Sequence, residues 1–244
     1  MNTQTDEIAD GIFRFSTLIP ISDDYSMSFN QFLIDAEEPL LYHCGMRGLF
    51  PLVSEAVATV TPLERLRWIS FGHVEADECG SMNEWLRACP EAQVVHGGVG
   101  CMVSIEDMAD RPPRALGDGE TLDLGGRRVQ LIETPHVPHA WEAIMLFETA
   151  TSTLFAGDLG SNDINDVAIT GDDLAPAAIE AERAFPNAAA LSPTTGTIIR
   201  RLAALDPSTV AIMHGASYQG DGGPLLRALA DGYDDLRREQ ERES

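Results

Sequence analysis

Short runs of alternating apolar and polar residues open the chain, and residues at helical spacing follow them. The opening runs are rich in β-forming residues and are separated by acidic, glycine or proline residues: "GIFRFSTL", "SFNQFLID" and "PLLYH". This pattern predicts an antiparallel meander. The next stretch, "LFPLVSEAVATV", carries apolar residues on one helical face, and "LRWISF" has the composition of a buried strand. The pattern therefore predicts a helix that leads into a central strand.

The order of strands followed by helices occurs twice along the chain. In the first half, apolar residues from Met82 to Cys89 recur at helical spacing, and they precede a strand at "AQVVHG", a helix around "VGCMVSIEDM" and a connecting loop at "DRPPRALGDGE". The second half predicts strands at "ETLDLGG", "RRVQLIETP", "EAIMLFET" and "STLFAGD", helices over 176–185 and 195–205, a strand at "TVAIMHG" and a charged terminal helix. We expect an α/β fold of the α+β type, a four-layer αββα sandwich, as a single domain over residues 1–244.

The charge of the chain narrows the classes of partner. It carries 39 Asp and Glu residues against 16 basic residues, for a formal net charge of −23. Such a surface repels phosphate backbones and anionic lipid, so nucleic-acid and membrane-surface roles are disfavoured. No apolar stretch is long enough to span a bilayer, and the opening "MNTQTDEIAD" has no export signal. The expected location is the cytoplasm.

The stretch "SFGHVEADECGSMNEWL" crowds one imidazole and three carboxylates between a strand and a helix. His73, Glu75, Asp77 and Glu78 lie close together in sequence, and carboxylates held this close repel one another unless a cation lies between them. If the loop is extended, alternate residues point to the same side, which brings His73, Glu75 and Asp77 together. The stretch therefore predicts a metal site on a strand-to-helix loop.

Further polar candidates follow apolar strands elsewhere in the chain. His136 and His139 follow "VQLIETP", Asp158 follows "TLFAG", and His214 follows "TVAIM". Strand ends from different parts of a chain can meet at one edge of a sandwich, so these side chains are candidates to complete the site. Carboxylates together with imidazoles form a hard donor set that suits iron or manganese, although zinc also accepts these ligands.

The ordered motifs, H-x-E-x-D, a His after "TP", "GD" after a strand, and "MHG", resemble those of the metallo-β-lactamase superfamily. Its hydrolases usually carry H-x-H-x-D-H, whereas Glu75 occupies the second His position here, as in the diiron branch that includes the flavodiiron proteins. The stretches "HVEADECGSMNEWL" and "TPHVPHAWEA" are similar to the oxygen-binding diiron proteins, stand-alone relatives of the flavodiiron core. The resemblance covers nearly the whole chain and implies the metallo-β-lactamase fold.

The resemblance also implies a role for each position of a two-metal site. One iron would be held by His73, Glu75 and His139, the other by Asp77 and His214, and Asp158 would bridge them.

Two positions leave alternatives open. Glu78 stands where the wider family usually has a second His, and it could ligate the second metal, accept a hydrogen bond from a metal-bound water, or face solvent in the first turn of a helix. His139 fits the frame of the family's ligand better than His136, which is expected in the pocket or beside the ligands. His43 and His96 are expected to be structural residues.

The resemblance implies a non-haem diiron protein, with two iron ions per chain, that binds dioxygen or another small diatomic ligand and reduces it when electrons are supplied. It would act as an oxygen sensor, a carrier or a partner-dependent oxidoreductase. No FMN is expected in this chain, because it has no Gly-rich phosphate loop, so a separate flavoprotein or rubredoxin would donate electrons. A homodimer is expected by resemblance.

Two other functions stay open on the sequence. One is a dinuclear metallohydrolase that acts on a thioester, ester or phosphodiester, and the other is an iron-dependent interaction module that reports redox state to another protein. Glu75 weakens the hydrolase hypothesis, because a carboxylate in place of an imidazole lowers the Lewis acidity available to activate water.

Overall fold

The computed structural model describes residues 1–243 and contains two seven-stranded sheets. The strands of the first sheet lie side by side in chain order: β1 (Thr3–Ala9), β2 (Ile12–Pro20), β3 (Ser26–Ile34), β4 (Leu40–Tyr42), β5 (Trp68–Ser70), β6 (Gln93–Gly97) and β7 (Arg114–Leu116). Strands β1 to β4 pair antiparallel, as the meander prediction requires, and β4 to β7 pair parallel.

The second sheet has a different strand order, β12-β14-β13-β11-β10-β9-β8. Its strands are β8 (Thr121–Asp123), β9 (Arg128–Glu133), β10 (Ile144–Glu148), β11 (Thr153–Phe155), β12 (Ile169–Thr170), β13 (Thr209–Ala211) and β14 (Ser217–Gln219). Strand β10 is antiparallel to both β9 and β11, and β11 is parallel to β13. Strands β9, β11 and β13 therefore run in the same direction, so the loops that follow them leave the sheet at the same edge.

The helices connect and cover the sheets. They are α1 (Phe50–Ala58), α2 (Ala76–Cys79), α3 (Met82–Ala88), α4 (Gly98–Gly100), α5 (Glu106–Met108), α6 (Ala175–Ala184), α7 (Thr195–Ala203) and α8 (Gly222–Glu243), with a π-helical turn (Cys101–Ile105) between α4 and α5 and 3₁₀ turns at Arg47–Leu49 and Leu63–Arg65. Within residues 1–243, no helix combines the length and the apolar character needed to cross a membrane.

Three buried apolar clusters define the layers. One cluster lies between the sheets and joins Phe32 of the first sheet to Leu131 and Leu146 of the second. A second cluster packs α1 and α3 on the outer face of the first sheet, and a third packs α6, α7 and α8 on the outer face of the second. Alternate residues of β10 face the two sides, since Leu146 enters the inner cluster and Met145 the outer one. The predicted four-layer αββα sandwich is confirmed.

The elements that the sequence pattern did not predict are mostly edge strands. β1, β7 and β12 lie at sheet edges, where a strand needs only one hydrogen-bonded neighbour. β7 lies within the predicted connecting loop "DRPPRALGDGE", so that prediction is wrong over Arg114–Leu116. Two of its three residues are exposed, and an exposed edge strand lacks the apolar alternation that marks a half-buried one.

Candidate metal centre

The loop after β5 carries the first group of candidate ligands. Glu75 has extended backbone angles, φ −134° and ψ 155°, and α2 begins at the next residue. The prediction of an extended loop therefore holds only as far as Glu75, because Asp77 already lies in the first turn of α2. A Cβ atom at Gly72 would lie 3.0 Å from Oε2 of Glu78, so the glycine leaves room for this carboxylate beside His73.

Four side chains form the first half of the candidate centre. Nε2 of His73 lies 2.8 Å from Oε2 of Glu75, and Nε2 of His139 lies 3.2 Å from the same oxygen. The two Nε2 atoms are 2.8 Å apart. With Asp158, these residues can each offer one ligand atom such that all the atoms lie within 4.8 Å of one another. His73 and Glu75 follow β5 of the first sheet, whereas His139 and Asp158 follow β9 and β11 of the second, so strand ends from both sheets meet here.

The second half of the candidate centre joins the first at Asp158. Nε2 of His214 lies 3.4 Å from Oδ2 of Asp77 and 3.4 Å from Oδ1 of Asp158. The other oxygen of Asp158, Oδ2, lies 3.4 Å from Nε2 of His139 and 3.8 Å from Nε2 of His73. Asp158 thus presents one oxygen to each half, which is the arrangement that a bridging carboxylate requires.

The orientation of the imidazoles leaves Nε2 facing the cluster. Nδ1 of His214 donates to the backbone oxygen of Ser28 at 2.8 Å. Nδ1 of His73 faces Oε1 of the buried Glu78 at 3.2 Å. A hydrogen-bond acceptor beside Nδ1 favours the tautomer that carries its proton there, so the Nε2 lone pair is free to bind a metal.

Opposing charges shift the pKa values of these groups strongly. Burial lowers the pKa of His73, but the charges and hydrogen bonds of Glu78 and Glu75 outweigh burial and raise it to about 11. Burial likewise opposes the interactions with Asp77 and Asp158 that raise the pKa of His214 to about 9. Protons and a metal ion compete for the same nitrogen lone pairs, so these imidazoles lose a proton when a metal binds.

Two buried carboxylate oxygens show that a cation fits here. Oδ1 of Asp77 and Oδ1 of Asp158 have no hydrogen-bond partner within residues 1–243, although buried polar atoms nearly always have one. A metal ion between the two halves would satisfy both oxygens. Carboxylate oxygens together with imidazole nitrogens are also the donors that iron, manganese and zinc accept.

The alternatives for Glu78 and His136 are narrowed by their positions. Glu78 is fully buried and its Oε1 faces Nδ1 of His73 rather than the Nε2 atom that faces the cluster, so the alternative in which Glu78 faces solvent is excluded. His136 is exposed, and it does not line the cavity at the site, so its expected place in the pocket is also wrong. The backbone turns at His136, where φ is +62°, and directs the loop so that His139 enters the cluster instead.

Comparison of the chain with known protein families agrees with the observed fold. A family model described as "ODP family beta lactamase" matches residues 27–215. The chain belongs to this family. All six candidate ligands of this ODP-family chain lie within the matched span. A curated relative, "Rubredoxin-oxygen oxidoreductase" of Megalodesulfovibrio gigas, is 26% identical over 124 residues, which make up 50% of this chain and 30% of that protein.

Solved structures similar to the ODP-family chain include several flavodiiron cores. Rubredoxin oxygen:oxidoreductase of Desulfovibrio gigas superposes with a TM-score of 0.79 at 17% identity over 96% of this chain and 62% of that one. The metal-soaked Flv1 flavodiiron core of Synechocystis sp. PCC6803 gives 0.82 at 19% identity over 98% and 62%. A putative diflavin flavoprotein fragment from Nostoc sp. PCC 7120 gives 0.78 at 16% identity over 99% and 98%. These similarities confirm the expected metallo-β-lactamase fold, and the chain spans less than two thirds of the first two structures.

A cavity of about 470 Å³ opens beside the candidate centre of the ODP-family chain. Its floor includes Glu75, Asp77, His139, Asp158 and His214. The walls come from α6 and the segment that follows it, the chain around the start of β3, Pro138 and residues 161–163, and among residues 1–243 they include no arginine. Small molecules can therefore reach the cluster through this cavity. The wall residues are mostly apolar, and the charged residues among them are acidic.

Sequence reasoning missed the residues that hold the ligands. Ser28 and Asn30 on β3 are buried polar residues that contact the loop around His214. Glu142 accepts a hydrogen bond from the backbone N–H of Val74 in the ligand loop at 3.1 Å. A signal did exist in "SMSFNQF", because polar residues in a strand that is otherwise buried need partners, but it does not reveal what those partners are.

Proposed function

We propose that His73, Glu75, Asp77, His139, Asp158 and His214 hold two iron ions, and that the chain is a non-haem diiron protein that binds dioxygen. The position of Asp158, with one oxygen toward each half of the cluster, is the observation that carries this proposal. The relative from M. gigas is named for rubredoxin and oxygen, and the Synechocystis neighbour is described as a metal-soaked flavodiiron core. Both descriptions support an oxygen-reducing diiron site here.

When bound, two ferrous ions would supply the first two electrons for the reduction of dioxygen. The residues of the chain bind and orient the ions and shape the space around them. Asp158 ties the two halves together, and Glu78 orients the ring of His73. The wall of the cavity includes Ala181 and Pro138, which place apolar surface beside the cluster.

The proposed partners follow from the need for electrons. Dioxygen or another small diatomic molecule is the proposed ligand, and a separate flavoprotein or rubredoxin is the proposed electron donor. We place no FMN in this chain, treat residues 1–244 as one domain, and propose a homodimer in the cytoplasm.

Anaerobic reconstitution tests the proposal. The protein is loaded with ferrous iron, and optical and Mössbauer spectra are recorded before and after oxygen is added. Two irons per chain whose spectra change on exposure to oxygen are expected. A single zinc ion in the isolated protein, together with no iron bound after anaerobic loading, would overturn the proposal.

A further inference from the structure

A set of buried polar contacts leads from His73 away from the cavity. Glu78 is fully buried, and its Oε2 accepts a hydrogen bond from the backbone N–H of His73 at 2.7 Å. Its Oε1 lies 3.2 Å from Nδ1 of His73 and 3.3 Å from Nε2 of His43. The backbone of Glu78 is also held, because Cys44 N–H donates to its carbonyl oxygen at 2.5 Å. Glu78 therefore lies between His73 on one side and His43 on the other.

His43 is fixed in place by its surroundings. The residue is fully buried, and its Nδ1 lies 3.2 Å from the backbone oxygen of Asn30. Its backbone N–H donates to Ser70 at 2.8 Å, and its ring centroid lies 4.3 Å from that of Tyr42. Its φ angle is +65°, in the left-handed region that few residues other than glycine adopt. Such a conformation persists only where neighbouring contacts hold it.

The other half of the candidate centre is held by different residues. Ser28 accepts from Nδ1 of His214 through its backbone oxygen at 2.8 Å, and its Oγ accepts from Gly215 N–H at 2.7 Å. The side-chain amide of Asn30 donates to the carbonyl oxygens of Ile212 and Gly215, each at 2.9 Å. None of these contacts passes through Glu78. The side chains that hold the two halves therefore differ, Glu78 for His73 and Ser28 with Asn30 for His214, although the backbone oxygen of Asn30 also contacts His43.

We propose that His43 is a positioning residue for the His73 half of the metal centre. It holds the carboxylate of Glu78 in the orientation that fixes the ring of His73, although it contacts no candidate ligand itself. The inference rests on the proposed two-metal function. Partners directly behind a metal ligand, the place that Glu78 takes here, typically change metal affinity by about 10- to 100-fold when they are removed, and His43 acts through Glu78. His43 is therefore expected to control the affinity of one metal and to leave the other unchanged.

Metal titrations in single-site backgrounds test this selectivity. The Asp77→Ala background keeps the His73 half, and the Glu75→Ala/His139→Ala background keeps the His214 half. Ferrous iron is titrated anaerobically into each protein against a coloured chelator, with and without His43→Asn. We expect His43→Asn to weaken iron binding by up to about tenfold in the first background, the lower end of the range for a direct partner such as Glu78, and to leave it unchanged in the second. Equal losses of iron affinity in both backgrounds, or no loss of iron affinity in the Asp77→Ala background, would overturn the inference.

Two control variants sharpen the comparison. His96→Asn makes the same substitution at another fully buried histidine that has no ion-pair contact with Glu78 within residues 1–243, so iron binding should not change. Ser28→Ala removes the hydroxyl that accepts from Gly215, so it should weaken iron binding only in the background that keeps His214. A loss with His96→Asn as large as that with His43→Asn would mean that the effect reports general destabilisation.

A measurement on the wild-type chain tests whether His43 is coupled to the metal centre, even if His43→Asn fails to fold. Nitrogen-15 spectra of the histidine rings are recorded as zinc is added to the metal-free protein. The Nε2 resonance of His43 should shift on zinc binding, because this atom lies 3.3 Å from Oε1 of Glu78, whereas the ring nitrogens of His96 should stay in place. Unchanged His43 resonances with a fully loaded site would contradict the inference.

The outcomes separate the inference from the proposed function. If the wild-type chain binds only one metal, the two-iron proposal fails, but the Asp77→Ala background still tests His43. If the wild-type chain binds two irons and His43→Asn changes neither affinity, only the inference about His43 fails.

Discussion

Oδ1 of Asp158 lies 3.4 Å from Nε2 of His214, while the other oxygen of this carboxylate faces the opposite half of the candidate centre. One side chain at the end of β11 thus connects ligands from loops far apart in sequence. Its pKa is raised, first by burial and then by the negative charge of Glu78, and the positive charges of His214 and His73 offset part of this shift. A buried carboxylate among other carboxylates needs a positive partner, and two metal ions would provide it on both sides.

Asp158→Ala should remove the bridge between the proposed irons. We expect the variant to lose at least one metal equivalent, and any irons that remain should show no magnetic coupling. Elemental analysis and Mössbauer spectra in an applied field measure these two quantities. His96→Ala is the matched control, because His96 lies outside the cluster, and its metal content should equal that of the wild type. Two coupled irons in Asp158→Ala would show that another group forms the bridge.

Metal affinity should rise with pH. When no metal is bound, the raised pKa values of about 11 for His73 and about 9 for His214 keep both imidazoles protonated at neutral pH. A metal must displace these protons, so affinity increases as pH rises from 6 toward 9, by up to about tenfold per pH unit for each proton released. Competition with a chelator whose own pH dependence is known measures the slope. A flat profile over this range would contradict the assignment of these imidazoles as ligands.

The layers of the fold could be predicted from the sequence because apolar periodicity marks the buried elements, whereas exposed edge strands such as β7 lack that signal. The structure brings together His139, Asp158 and His214. The sequence indicates these residues because each follows a strand with a clear apolar run. The environment of Glu78 could not be predicted in the same way. In sequence, Glu78 looks like an ordinary carboxylate in the first turn of a helix. Only the folded structure shows that the Glu78 side chain is buried and paired with His43, a residue distant in sequence.

Buried His96 should make stability depend on pH. Burial lowers its pKa to about 4, although nearby backbone acceptors and acidic charges oppose this shift. The unfolded chain binds a proton at His96 below about pH 6.5 and the native chain does not, so the free energy of unfolding falls as pH decreases, by about 2 kcal/mol between pH 7 and pH 5. Urea unfolding of wild type and His96→Leu at both pH values isolates this contribution. An equal pH dependence in the two proteins would contradict it.

The chain should form a homodimer, as the resemblance to flavodiiron proteins implies. Light scattering at micromolar concentration should report twice the mass of one chain, which is 26.4 kDa. A mass that stays at that of a single chain across a tenfold rise in concentration would exclude the dimer under these conditions.

Without an external electron donor, the iron-loaded protein should react with oxygen once and then stop. Two ferrous ions supply two electrons, and we assign no flavin to this chain that would replace them. Adding a chemical reductant or a separate flavoprotein reductase should restart oxygen uptake, which an oxygen electrode records. β-Lactam, thioester and phosphodiester substrates should be hydrolysed poorly, because Glu75 lowers the Lewis acidity of the site. Sustained uptake with NADH alone would contradict the need for a donor, and rapid thioester hydrolysis by the zinc-loaded protein would favour a hydrolase instead.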